Sequence, residues 1–306
     1  MRINPASLGA TLYMPALRDD LVAVASGDRY PDLRSLVVCL EDSVRADEVD
    51  TALRQLRAFL RQLRLQRSGV TRPPHLFVRP RDAFMLQTIS AMPGVDCVDG
   101  FVIPKATCDS LPDYLSALGH SHHLIMPTVE TRDAFDPVAV RRLRDQLLAV
   151  QDRVLAVRIG GNDLLQTIGA RRSTIRTAYD GPLGPVIAGL ATTFIPWGFA
   201  VSAPVLESYG DPALLAAEVE RDLEHGLMTK TVIHPSQIAP IHAAYEVSEG
   251  DYQAALSILN SDARAVYANC GVMSEPATHR GWAEGILARA EAFGVRAASA
   301  TLSLVG

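Results

Sequence analysis

Eight short apolar, β-rich runs, most of them followed by a helix-like stretch, predict a (β/α)8 TIM barrel for this chain of 306 residues. Length agrees, since such a barrel needs roughly 250 residues and the remainder suffices for a C-terminal helical extension. Most of the runs also end in charged or glycine residues, as expected where strand ends share one functional face. An open doubly wound sheet is the competing arrangement for the same order of elements.

The predicted strands open with Thr11–Met14 and Leu36–Leu40. The helix that follows, Ala46–Gln66, repeats Val49, Leu53, Leu56, Leu60 and Leu63 at helical spacing. Arginines crowd its other side and read as a solvated charged face. Strand Leu76–Val78 precedes helix Ala83–Ala91, and Phe101–Ile103 precedes Leu111–Leu118. Strand Leu124–Met126 leads to helix Val138–Val150. Strand Leu155–Ile159 is followed at a distance by helix Pro185–Phe194. Phe199–Ala203, helix Ala213–Gly226 and Thr231–Ile233 complete the series. Strands alternating with helices imply a parallel sheet joined by right-handed crossovers. The barrel is expected over residues 1–250. Residues 251–306, with their own apolar periodicity, are expected to form helices packed on the barrel or on a neighbouring subunit.

Hydrophobic residues make up 48% of the chain and charged residues 21%, so a sizeable core needs no covalent staples. A formal charge of −5 and a pI near 5.9 argue against a nucleic-acid partner. Cys39, Cys97, Cys108 and Cys270 show no CxxC spacing and read as reduced thiols. No signal-peptide pattern and no membrane-length apolar run is present, so a cytoplasmic protein without membrane contact is expected.

The chemistry is expected where the strands end. Glu41-Asp42 follows the second strand, Arg79 the third, Pro104-Lys105 the fourth and Glu130-Thr131 the fifth. Gly160-Gly161-Asn162-Asp163 follows the sixth and His234-Pro235 the eighth. Glu130 and Asp163, two carboxylates at adjacent strand ends, suit Mg2+, a hard ion that takes few protein ligands and keeps waters. The alternative is that Asp163 caps the helix it opens and that Glu130 is a surface carboxylate. Arg79 offers a fork for a substrate carboxylate, or an ion pair with Glu41 or Asp42. Lys105 is either an anion contact or a rim lysine. Gly161 would let a ligand approach the backbone closely, beside Asn162. His234, extended before Pro235, is either a substrate contact or a structural hydrogen bonder. His120, His122 and His123 lack helical metal-pair spacing and are expected to be solvated.

These segments together resemble the citrate lyase β-subunit-like group of the HpcH/HpaI aldolase family. The matching stretches are Leu12-Tyr13-Met14-Pro15-Ala16, Cys39-Leu40-Glu41-Asp42-Ser43-Val44, Val78-Arg79 and Ile103-Pro104-Lys105. They continue with Val129-Glu130-Thr131, Gly161-Asn162-Asp163-Leu164 and the run Lys230 to Gln237, in the family's order. The resemblance implies Mg2+ on Glu130 and Asp163, a substrate oxygen on Arg79, and Glu41 and Asp42 ordering the arginine or waters. It implies a carbon–carbon lyase or aldolase acting through a metal-stabilised enolate on a small anionic oxo or hydroxy acid. Coenzyme A as part of the substrate, and a homo-oligomer, belong to the same expectation. The alternatives are an acyl-CoA thioester hydrolase and a non-catalytic lyase-like subunit, as in barrels associated with tellurium-resistance gene clusters. Departures mark a divergent branch: Cys39 and Ser43 flank the acidic pair, Arg81 stands where Asn is usual, and Asn162 where Glu often precedes the metal-binding Asp.

Overall fold

The computed structural model describes residues 3–66, 73–269 and 272–296. Cys270 and the last ten residues of the expected C-terminal extension lie outside the described residues. Eight parallel strands form the central sheet: β1 (Ala10–Pro15), β2 (Ser35–Cys39), β3 (His75–Arg79), β4 (Gly100–Ile103), β5 (Leu124–Val129), β6 (Val157–Ile159), β7 (Val201–Ser202) and β8 (Lys230–Val232). Their spatial order is β7-β6-β5-β4-β3-β2-β1-β8. A parallel bridge between Ala203 and Lys230 joins the two ends, with Ala203 N donating to Thr229 O at 2.8 Å and Thr231 N to Ala203 O at 3.2 Å. The sheet therefore closes, and the fold is the (β/α)8 barrel rather than the open alternative.

The period of two along each strand decides what faces the barrel axis. Val37, Phe77, Val102, Met126 and Ala156 meet in one buried cluster with Leu8 and Leu155, and Tyr13 packs partly against it. The same phase carries Arg79, Thr128, Glu130 and Arg158 inward towards the strand ends. Outside lie α1 (Leu21–Ala25), α2 (Val49–Gln66), α3 (Ala83–Ser90), α4 (Leu111–Leu118), α5 (Pro137–Leu148), α6 (Gly161–Thr167), α7 (Leu183–Phe194) and α8 (Pro212–Glu224), with α9 (Ile238–Tyr245) after the last strand. On α2, Ala52, Leu56, Phe59, Leu60 and Leu63 are buried while Arg54, Arg57, Arg61 and Arg64 are exposed, as its pattern requires.

The chain divides into two compact units, Met1–Ile241 and His242–Gly306. Within the second, α10 (Glu249–Leu259) and α11 (Pro276–Phe293) bury Ala255, Ile258, Ala283 and Ile286 with Val247. This unit is not purely helical: Tyr267–Asn269 pairs antiparallel with Val272–Ser274, and Val247–Ser248 pairs parallel with Val295–Arg296. No described helix is long and apolar enough to cross a membrane. His123 departs from the solvated loop histidine expected. It is 4% exposed, stacks on His122, meets the Phe101 edge and bonds Val95 O through Nε2 at 3.2 Å. Burial pushes its pKa down, towards the neutral ring that packing against an aromatic core favours.

Candidate active site

A cavity of about 830 Å³ opens at the C-terminal strand ends, lined by Cys39, Asp42, Arg79, Lys105, Glu130, Gly160, Gly161, Asn162 and Asp163 among others. Parallel strands deliver these residues to one face because each strand's last inward position points at the mouth. Glu130 follows β5 and is 3% exposed. Its Oε1 accepts hydrogen bonds from Arg79 Nη2 at 2.9 Å and from the Lys105 amide at 2.8 Å. Its Oε2 lies against Gly160, 2.1 Å from where a Cβ would stand there. Only glycine leaves that space open. Burial, opposed by Arg79 and reinforced by Asp163, pushes the Glu130 pKa up to about 7.

Lys105 delivers its amide through a left-handed backbone, φ 47°, the one such non-glycine residue among those described. That conformation costs of order 1–3 kcal/mol and concentrates at functional sites. Its ammonium bonds Glu41 Oε1 and lies 3.3 Å from Asp42 Oδ2 and 3.4 Å from Asp163 Oδ1. Partial burial opposes the charge, but Glu41, Asp163 and Glu130 outweigh it and raise the pKa. Arg79 Nη2 also pairs with Glu41 Oε2 at 2.7 Å. The ion pair expected with the acidic dipeptide therefore forms at Glu41, and Glu130 is a second partner the spacing did not suggest. Arg79 Nε, by contrast, is buried without a hydrogen-bond partner.

Asp163 does not cap its helix. Gly160 occupies the cap position of α6 without a side-chain bond, and Asp163 stands in the first turn with its carboxylate lining the cavity. Asn162 Nδ2 donates to Glu207 Oε1 at 3.0 Å. Gly161 is buried, and a Cβ there would stand 3.0 Å from Pro204 Cβ.

His234 and Pro235 are not brought into the cavity wall, where Thr231 and Ile233 stand instead. His234 stacks on Tyr209, and its Nδ1 accepts from Ser236 N at 3.2 Å, a turn-forming role. Arg81, which stands where Asn is usual in the family, does not line the cavity either. Its guanidinium donates to Leu40 O at 3.0 Å, Glu41 O at 3.4 Å and Val44 O, clamping the loop that presents Glu41 and Asp42. Among the cavity residues that escaped the sequence reading are Thr128 and Arg158. The signal for both was strand phase: they stand two residues before Glu130 and Gly160, on the same inward face.

The donor set fits a divalent hard cation. At the strand-end level Glu41, Asp42, Glu130 and Asp163 meet Arg79 and Lys105, and Arg158 lines the cavity one step deeper. Every acidic donor is oxygen, and no group of three or more His, Cys, Asp or Glu among the described residues is arranged to hold a metal. Two carboxylates plus waters is the arrangement Mg2+ uses, and Zn2+ would want nitrogen or sulfur.

The sequence model of one family, described as C-C_Bond_Lyase of the TIM-barrel fold, matches residues 2–295. Among solved structures, CitE of Mycobacterium tuberculosis in complex with magnesium, acetoacetate and coenzyme A is 20% identical. The match has a TM-score of 0.68, covering 94% of this chain and 99% of the other. A citrate lyase from Burkholderia xenovorans LB400 is 17% identical with a TM-score of 0.72, covering 98% of each chain. RipC from Yersinia pestis is 18% identical with a TM-score of 0.58, over 79% of this chain and 96% of that one. No curated protein matches the chain.

Proposed function

We propose that this chain, which belongs to the C-C_Bond_Lyase family of the TIM-barrel fold and is a carbon–carbon lyase, acts on a small oxo or hydroxy acid with Mg2+ held by Glu130 and Asp163. The observation that carries this reading is that Glu130 and Asp163, at adjacent strand ends, line one cavity around Lys105, whose amide donates to Glu130 Oε1 at 2.8 Å and whose ammonium lies 3.4 Å from Asp163 Oδ1. When bound, Mg2+ supplies a Lewis acid that polarises a substrate oxygen and stabilises enolate charge.

The chain's own groups do the rest. Arg79, fixed through Nη2 by Glu41 and Glu130, keeps its buried Nε for a substrate carboxylate. Glu41 orients both Arg79 and Lys105. Lys105, its ammonium pKa raised, serves as a fixed positive charge rather than as a base at neutral pH. Arg81 acts through the loop backbone as a positioning residue. The volume of about 830 Å³ exceeds the needs of a small acid and leaves room for the arm of a coenzyme A thioester. Support for that ligand class comes from the neighbouring structures, which hold magnesium with acetoacetate and coenzyme A, or with oxaloacetate.

Calorimetric titration with Mg2+, then with pyruvate, tests the reading. Asp163→Asn removes one of two ligand charges and is expected to weaken Mg2+ binding at least tenfold; unchanged affinity would remove Asp163 from the site. A homo-oligomer completes the proposal. Sedimentation at micromolar concentration is expected to give a mass above the 33.0 kDa of one chain, and a monomer would count against it.

A further inference from the structure

Below the carboxylates, the cavity has a polar floor where a (β/α)8 barrel normally packs branched apolar side chains. Thr128 and Arg158 are register partners on β5 and β6, and both line the cavity. Each stands one inward step below the metal-site level, Thr128 beneath Glu130 and Arg158 beneath Gly160. At 3.2–3.4 Å per residue that step is about 6.5 Å. Arg158 is 1% exposed, yet it is one of the residues that line the cavity. Its Nη2 donates to Thr231 Oγ1 at 2.6 Å, its Nη1 meets Met126 Sδ at 3.6 Å, and its carbon lies 5.3 Å from the Tyr13 ring centroid. The Thr128 hydroxyl is buried, 4% exposed as a residue, and has no hydrogen-bond partner.

An unsatisfied hydroxyl is costly in a barrel interior. A buried donor without a partner in the protein is explained when a ligand supplies the acceptor. The Arg fork matches a carboxylate, and the hydroxyl beside it adds a third donor.

We propose that Arg158 and Thr128 form a floor subsite that binds a second carboxylate of the substrate, so that the enzyme selects a small diacid over the corresponding monoacid. This rests on the Mg2+ reading for where the first carboxylate sits. The subsite takes the far end of the molecule, about one strand step deeper, and so discriminates by what the acid carries away from its reacting carbon. Tyr13 and Thr231 hold the guanidinium in place and are positioning residues.

The test is calorimetry on the full-length, Mg2+-loaded protein with two probes that differ in the distal carboxylate, lactate and malate. The wild type is expected to bind malate at least tenfold more tightly. Arg158→Met, which keeps length and loses charge, should bring the malate-to-lactate ratio close to one, and Arg158→Lys should restore part of it. Should Arg158→Met fail to fold, the near-isosteric Thr128→Val carries the test, with an expected loss of at least threefold in that ratio. Equal binding of the two acids by the wild type, or a preference that survives whichever of these two variants folds, overturns the floor subsite. Titration with Mg2+ alone separates the two readings. Metal binding without malate preference sinks only the subsite, whereas malate preference without metal binding sinks the Mg2+ site and leaves the floor.

Discussion

At the scale of single residues, the site is governed by how Glu130 is held. Burial favours its neutral form, and Arg79 with the Lys105 amide favours the ionised form; burial prevails and the pKa stands at about 7. The sign of the consequence follows from linkage. A carboxyl whose folded pKa exceeds its model value of 4.5 binds more protons folded than unfolded between those limits. Metal-free stability therefore falls as pH rises from about 4.5 to about 7 and is level above that. Mg2+ requires the carboxylate, so its affinity runs the other way. Titrations from pH 8 to pH 5 are expected to show constant affinity above about 7 and a loss approaching tenfold per unit below it. In Glu130→Gln that pH dependence should vanish along with most of the affinity; a persisting inflection near 7 would assign it to another group.

At the scale of elements, β8 is tied to α8 and to the loop before α7 by charges inside the protein. Lys230, fully buried, donates to Glu218 Oε1 at 3.0 Å, Asp222 Oδ2 at 2.8 Å and Pro204 O at 2.9 Å. Glu218 also binds Arg172 and the Ala178 amide, and Asp222 accepts from Tyr179 Oη at 2.7 Å. Burial would discharge the lysine, but Asp222 and Glu218 outweigh it and its pKa is raised. Lys230→Met would leave two buried acids facing each other, so a loss of about 3–5 kcal/mol in denaturant unfolding is expected. A loss under about 1 kcal/mol would mean the acids find protons or water at little cost. Lys230 also shows the limits of what the residues disclosed. Its position at the head of Lys230-Thr231-Val232-Ile233-His234 suggested a functional run, yet its side chain belongs to the scaffold. The strands were legible because apolar period-two runs have few other uses, and the ends of β2 to β6 did carry the polar groups to one cavity. The seven-residue α6 and five-residue α1 were not, being too short to show a helical period. Arg158 was hidden because a lone arginine inside a strand discloses nothing until the pairing with Thr128 fixes which way it points.

At the scale of the whole molecule, two cores were built by different means. The barrel closes around Val37, Phe77, Val102 and Met126, whereas the second unit rests on the facing apolar sides of α10 and α11. All the proposed Mg2+ ligands belong to the first unit, on strands whose ends must stay in register for Glu130 and Asp163 to share one ion. Metal binding is then coupled to barrel folding and to nothing within the second unit's own core. Mg2+ at a hundredfold excess over its dissociation constant adds about 2.7 kcal/mol to whatever unfolds with the site. For a unit of this size that is a rise of roughly 5–10 °C in its midpoint. Scanning calorimetry is therefore expected to resolve two transitions, of which Mg2+ moves only the larger, and Asp163→Asn should abolish the movement. A single transition shifted as one body would show instead that the second unit's helices unfold with the barrel. Glu130 and Asp163 would then draw on the stability of the whole chain rather than on that of the eight strands that present them.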